Sequence, residues 1–150
     1  MRYAEGTSVP MERSRAEIER VLLRYGASDF AYRTNAQRAE LAFFVRGTSV
    51  KLGVNFPSIE EKRFAQTPTG RPRRGENPAQ QAWDQEVRRL WRALSLVIRA
   101  KLEAVESGIS TFEREFMADI VMKNGKTIGE AILPRLSEAV QSGRLLPEKT

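Results

Sequence analysis

Asn77 to Ser107 reads NPAQQAWDQEVRRLWRALSLVIRAKLEAVES, and its spacing decides the architecture. Asn77 is placed to cap a helix, and Pro78 suits the first helical position, where the N–H it lacks would be unpaired anyway. Trp83, Val87, Leu90, Trp91, Leu94, Val97, Ile98, Leu102 and Val105 then recur at three- and four-residue intervals. That pattern is one apolar stripe along a helix about 45 Å long. It predicts the core helix, against which the other elements must pack. The opposite flank carries Arg88, Arg92 and Arg99 in line, with Arg89 beside them, directly after an arginine-rich loop.

Working outward toward the N-terminus, Ser14 and Glu17 have capping-box spacing. Ile18, Val21, Leu22 and Tyr25 follow as a helical face, and Gly26 is placed to end the helix in a left-handed turn. Upstream, Thr7 to Met11 reads as a short edge strand in which Pro10 is tolerated. Arg13, Arg15, Arg20 and Arg24 alternate with Glu12, Glu17 and Glu19, the pattern of a solvated face laced with helical ion pairs. Asp29 to Thr34 and Ala39 to Arg46 read as strands. Gly47-Thr48 has the glycine-first form of a type II′ hairpin, and Val50, Leu52, Val54 and Phe56 alternate after it. Leu41, Phe43 and Val45 share the buried face, leaving Phe44, Arg46, Lys51 and Asn55 on the other. Phe44 on that outer face suits either simple packing or a base-stacking platform.

Pro57 ends the last strand, and Ile59 to Phe64 is expected to form a short helical turn. Residues 66–77, QTPTGRPRRGEN, hold no apolar cluster to bury and read as a mobile loop, either a solvated linker or an arm lying along phosphates. Beyond the long helix, Ser110 to Glu113 and Thr127 to Glu130 both have capping-box spacing. Phe112, Phe116, Met117, Ile120 and Val121 continue a helical stripe to about Met122, with a strand at Ala118 to Met122 as the alternative. Ile128, Ile132, Leu136 and Val140 mark a last helix that Pro134 must kink or restart near Leu133. Gly143 ends it, and Pro147 to Thr150 is expected to fray. The outline is α+β: a small antiparallel sheet of three to four strands, packed by an N-terminal helix and the long helix, then a C-terminal helical pair. At 150 residues a single domain is expected.

Composition narrows the chemistry. The chain has no cysteine and no histidine, which removes disulfides, thiolate metal sites, the commonest general base and the commonest transition-metal ligand. Asp29, Asp84 and Asp119 lie far apart in sequence, and no glycine pattern cradles a nucleotide. No catalytic residue, metal or cofactor is therefore assigned. Glu86 and Lys101 lack any convergent signature, and Lys101 reads as a snorkelling side chain. The longest apolar run falls short of a bilayer span, and the first residues lack the apolar core of a signal peptide, so an intracellular protein with no membrane partner is expected.

Net charge is +6, and it is polarised. Lys62 to Gly75 holds Lys62, Arg63, Arg71, Arg73 and Arg74 without an acid, whereas Glu103 to Glu130 sets six acids against three bases. A basic, locally concentrated surface points to a polyanion.

VPMERSRAEIERVLLRYGA at Val9 to Ala27, the GRPRR loop, and WRALSLVIRAKLEAVESGISTFEREFMADIVMKNGKTIGE at Trp91 to Glu130 together give the chain a resemblance to a family of small uncharacterised proteins encoded by tailed phages and prophages. The resemblance covers most of the chain. It implies a viral origin and the cytoplasm of a bacterial host, and it brings no catalytic residues. A sheet followed by a long helix with a basic groove is also similar, by architecture alone, to the core of single-strand annealing proteins used in phage recombination.

Two functions follow. The first is non-catalytic binding of nucleic acid, single-stranded DNA or RNA, with weak sequence dependence, in phage replication or recombination. Arg71, Arg73 and Arg74 would contact phosphates from the loop, Arg88, Arg92 and Arg99 would extend the track along the helix, and Lys51 and Arg46 would add to it from the hairpin. The second is a protein-interaction module, either a virion or assembly component or an inhibitor of a host defence enzyme, with a homo-oligomer included. Trp83 would be its hot spot if it protrudes, and a core residue if it packs.

Overall fold

The computed structural model describes residues 3–146, with side chains from Met11 onward. Three antiparallel strands, β1 (Ser28–Thr34), β2 (Arg38–Val45) and β3 (Thr48–Asn55), lie in the order β1-β2-β3. Helix α1 (Tyr3–Tyr25) precedes them; α2 (Lys62–Ala65) and α3 (Pro78–Glu106) follow. The C-terminal part holds α4 (Phe112–Phe116), α5 (Ile128–Ile132) and α6 (Leu136–Ser142), joined by 3-10 turns. The fold is α+β. The end from Pro147 to Thr150, expected to fray, lies outside the described residues.

One face of the sheet is buried and one is open, as strand alternation dictates. Leu41, Phe43 and Val45 of β2 and Val50 and Leu52 of β3 point into the core, while Phe44 stays 39% exposed on the outer face. Against the inner face pack α1, through Ile18 and Leu22, and α3, through Val87, Trp91, Ile98 and Leu102. Phe116 closes the far end edge-on to Phe43, ring centroids 6.2 Å apart. The α3 stripe therefore buries as its period predicts, except that Val97 falls off its edge at 47% exposed.

Five local expectations change, one of them at α4, where Thr111 and not Ser110 is the cap, accepting from Arg114 N. Thr7 to Met11 is helical, part of α1, so the edge strand is not formed. Ser14 does not cap a helix: it lies inside α1, 5% exposed. The helix runs back through both positions, so the backbone there is satisfied by i to i−4 bonds in place of a strand partner. The two residues of the β2–β3 connection are Arg46 and Gly47, since Val45 pairs with Thr48. Their φ values of 50° and 78° are those of a type I′ turn, not the expected type II′. Finally, Asn77 sits at the N-cap of α3 but in the left-handed region, φ 49°, and its side chain makes no capping bond.

Between α4 and α5 both readings of the sequence hold in part. The helix gives way to a 3-10 turn at Met117–Asp119, then Ile120 bridges Val50 at the sheet edge and Val121 bridges Thr127. Val121 N donates to Ser49 O at 2.9 Å. Thr127 forms the capping box with Glu130, and the last helix breaks at Leu133–Arg135, where Pro134 falls.

Candidate nucleic-acid interface

The loop between α2 and α3 is built from its own hydrogen bonds. Thr67 N donates to Arg71 O at 2.8 Å and Gly70 N to Thr67 O at 2.9 Å, closing a tight turn that Gly70 enters at φ +86°. Arg71 N also reaches Thr67 Oγ1 at 3.2 Å, and Gln66 bridges Pro72. One residue later Arg73 is tied twice to α2: its N donates to Ala65 O at 2.9 Å and its Nε to Arg63 O at 3.1 Å. The segment expected to be mobile thus carries a defined set of bonds from Gln66 to Arg73, and Arg71, Arg73 and Arg74 line the space beside the start of α3.

Between this loop and the first turns of α3 lies an open basin of about 1310 Å³. Arg71, Arg73, Arg74 and Arg88 line it, with Gln81, Gln85 and Asp84 on the helix side. Arg71 and Arg74 are exposed, and neither is held by a carboxylate among the described residues. The N-terminus of α3 opens here too, with no acid in its first turn and no side-chain cap. Its partial positive charge adds to that of the guanidinium groups. The basin's acid, Asp84, is 6% exposed, receives a bond from Gln80 Nε2 at 2.9 Å and faces Arg88. Burial pushes its carboxyl above the usual range, while Gln80 and Arg88 pull the other way.

Neighbouring cations are engaged elsewhere. Glu86 takes both Arg63, at 3.1 Å, and Arg89, so these form a wall behind the loop. Arg92 is exposed one turn beyond Arg88 and continues the line. Arg99 is paired with Glu17 of α1. Arg46 lies over the Tyr25 ring, 4.8 Å from its centroid, and Tyr25 in turn stacks on Phe112 past the C-terminal end of α3. Lys51 stands 3.9 Å from Glu130 on the outer face of the sheet. Of the eight cations proposed from sequence, the structure gathers Arg71, Arg73, Arg74 and Arg88, leaves Arg92 adjacent, and sets Arg99, Arg46 and Lys51 apart.

Trp83 packs. It is 4% exposed, meets Phe56 edge-on at 5.9 Å, and its Nε1 donates to Pro57 O at 2.8 Å. Lys101 turns its Nζ to Glu115 O and lies over Phe116, a structural use of the charge. Sequence reasoning missed Asp84, Gln81 and Gln85; an i, i+4 spacing of polar residues beside the stripe, 81-85 and 84-88, was the signal available. No group of residues able to hold a metal ion occurs among the described residues, and no helix there is long and apolar enough to cross a membrane. Comparison with family models, curated proteins and solved structures found no match.

Proposed function

We propose that the protein binds nucleic acid without catalysis, taking the phosphates of a single strand of DNA or RNA into the basin between the Thr67–Arg74 loop and α3. The observation that carries this is the convergence of Arg71, Arg73, Arg74 and Arg88 around the uncapped start of a 29-residue helix. Guanidinium groups recognise phosphate through paired N–H donors. A concave arm-and-helix surface suits a flexible strand. The basin presents guanidinium groups suited to phosphates, which carry no sequence information. Weak sequence dependence and strong salt dependence follow, in keeping with a role in phage replication or recombination in the cytoplasm of a bacterial host.

Fluorescence anisotropy with labelled single-stranded DNA, duplex DNA and RNA, at rising salt, tests the reading. Replacing Arg71, Arg73 and Arg74 together by Gln should weaken single-strand binding at least about tenfold at low salt, since each lost phosphate contact removes a counterion-release contribution. Unchanged affinity in that variant rejects the site.

A second reading, a protein-interaction module that includes self-association, is favoured by a separate observation. Leu133, Leu136, Val140, Leu145 and Leu146 are all at least 46% exposed along the C-terminal segment. Such a strip is larger in sequence than the scattered apolar residues normal to a surface. Light scattering on the purified chain, with and without Leu136→Lys and Val140→Lys, separates a stable oligomer from a monomer.

A further inference from the structure

Beside the basin lies a second recess with different chemistry. Pro57 stops β3, and Phe56 N donates to Gln37 O at 2.8 Å, which draws the β1–β2 turn over the segment leaving the sheet. The first turns of α3 supply Gln80 and Trp83 from the other side. The cavity between them is about 440 Å³, walled by Phe56, Pro57, Ile59 and Trp83, with Gln37, Ser58 and Gln80 as polar groups. The Trp83 indole is fixed by its bond to Pro57 O, so the wall is preformed. Ile59, 37% exposed, stands at the opening.

The recess and the basin meet across one side-chain pair. Gln80 lines the recess, Asp84 lines the basin, and the two are hydrogen-bonded at 2.9 Å. They are four residues apart on α3, about 6 Å along its axis. A sugar spans such a gap between its phosphate and its base. We propose that the recess accepts one unstacked nucleobase from the strand whose phosphates occupy the basin. This rests on the nucleic-acid reading above and adds a base contact to it. Pro57 and Ile59 offer apolar contact to the face of any base, over a floor formed by the buried Phe56 and Trp83. The amides of Gln37 and Gln80 can each donate and accept, which suits the edge of a base and tolerates more than one. An apolar side chain of a protein partner would fill the walls but leave Arg71 and Arg74, which no carboxylate among the described residues holds, without a counter-charge. Charge complementarity therefore favours a nucleotide.

The test compares an oligothymidylate with an oligomer of the same length and charge in which every base is absent, by competition anisotropy at about 50 mM salt. Contact with one base predicts that the wild-type protein prefers the oligothymidylate by roughly 5-fold, the low end of what full stacking on a ring would give. Ile59→Ser, at an exposed position, should reduce that preference several-fold while leaving the base-free oligomer's affinity unchanged. Equal binding of the two oligomers by the wild-type protein, with both weakened by neutralising Arg71, Arg73 and Arg74, overturns the base site and leaves the phosphate basin standing. A loss of both affinities in Ile59→Ser also overturns it. Binding of neither oligomer removes the basin as well.

Discussion

Asp84 opposes the function proposed for its surroundings. A carboxylate among Arg71, Arg73, Arg74 and Arg88 subtracts from their attraction for phosphate, and it holds Arg88 by charge. Two unit charges about 4 Å apart interact by about 1 kcal/mol in water, so Asp84→Asn should tighten single-strand binding roughly fivefold. The pH dependence has a defined sign. Burial raises the Asp84 pKa above 3.8, so in the window between that value and the folded-state pKa the native protein binds more protons than the unfolded chain. The stability Asp84 contributes is present in full below 3.8 and is lost as pH rises through its folded-state pKa. Affinity should likewise rise as pH falls through that pKa in the wild type. Asp84→Asn should flatten both trends, which urea titrations and anisotropy across the acid range will read. The arginines were legible in sequence because Lys62 to Gly75 sets five cations close together with no acid among them. Asp84 was not, because burial beside Arg88 depends on how the loop folds back over α3.

At the level of elements, legibility followed the range of the interactions involved. The α3 stripe was readable because nine apolar positions repeat one period. The strands' inward set was readable because Leu41, Phe43 and Val45 must share a face, and that set survived the one-residue shift of the hairpin turn. That shift came from Arg46, whose φ of 50° a β-turn rule assigns to glycine or asparagine before arginine. Capping boxes were ambiguous: the one at Thr127 forms, whereas the spacing at Ser14 lies within a continuous helix. The segment Ile120–Val121 depended on a tertiary partner, the edge of β3, which no local pattern reveals. That docking makes α5 sensitive at two points. A Cβ on Gly129 would meet Ala118 O at 2.8 Å, so the backbones of α5 and the 3-10 turn must separate. Gly129→Ala should cost about 1 to 3 kcal/mol despite its helix propensity, and Thr127→Ala should cost about 1 kcal/mol from the lost cap. Equilibrium denaturation of each variant gives these values. A stabilised Gly129→Ala protein would show that α5 does not pack against Ala118.

Across the whole molecule the charge is distributed with a direction. The start of α3 carries the basin, while residues 103–130, from its last turn onward, hold six acids against three bases, and Arg46 and Lys51 are engaged at that end by Tyr25 and Glu130. Helix α3 separates the two regions, and Arg99, midway, is committed to α1 through Glu17. A strand bound in the basin therefore has no continuous positive path along the protein. Salt dependence measures this directly. For single strands the slope of log K against log salt is about −0.7 per neutralised phosphate, so four arginines predict about −3 and all eight candidate cations about −6. The basin predicts the smaller value, rising in magnitude by less than one if Arg92 also contacts the strand. Replacing Arg46, Lys51 and Arg99 together by Gln should then leave both affinity and slope within error of wild type. Neutralising Arg71, Arg73 and Arg74 should bring the slope to about −1. A wild-type slope near −6, reduced by the Arg46, Lys51 and Arg99 substitutions, would mean that the strand breaks the Arg99–Glu17 pair and crosses to the hairpin, and the binding surface would have to be redrawn along the full length of α3.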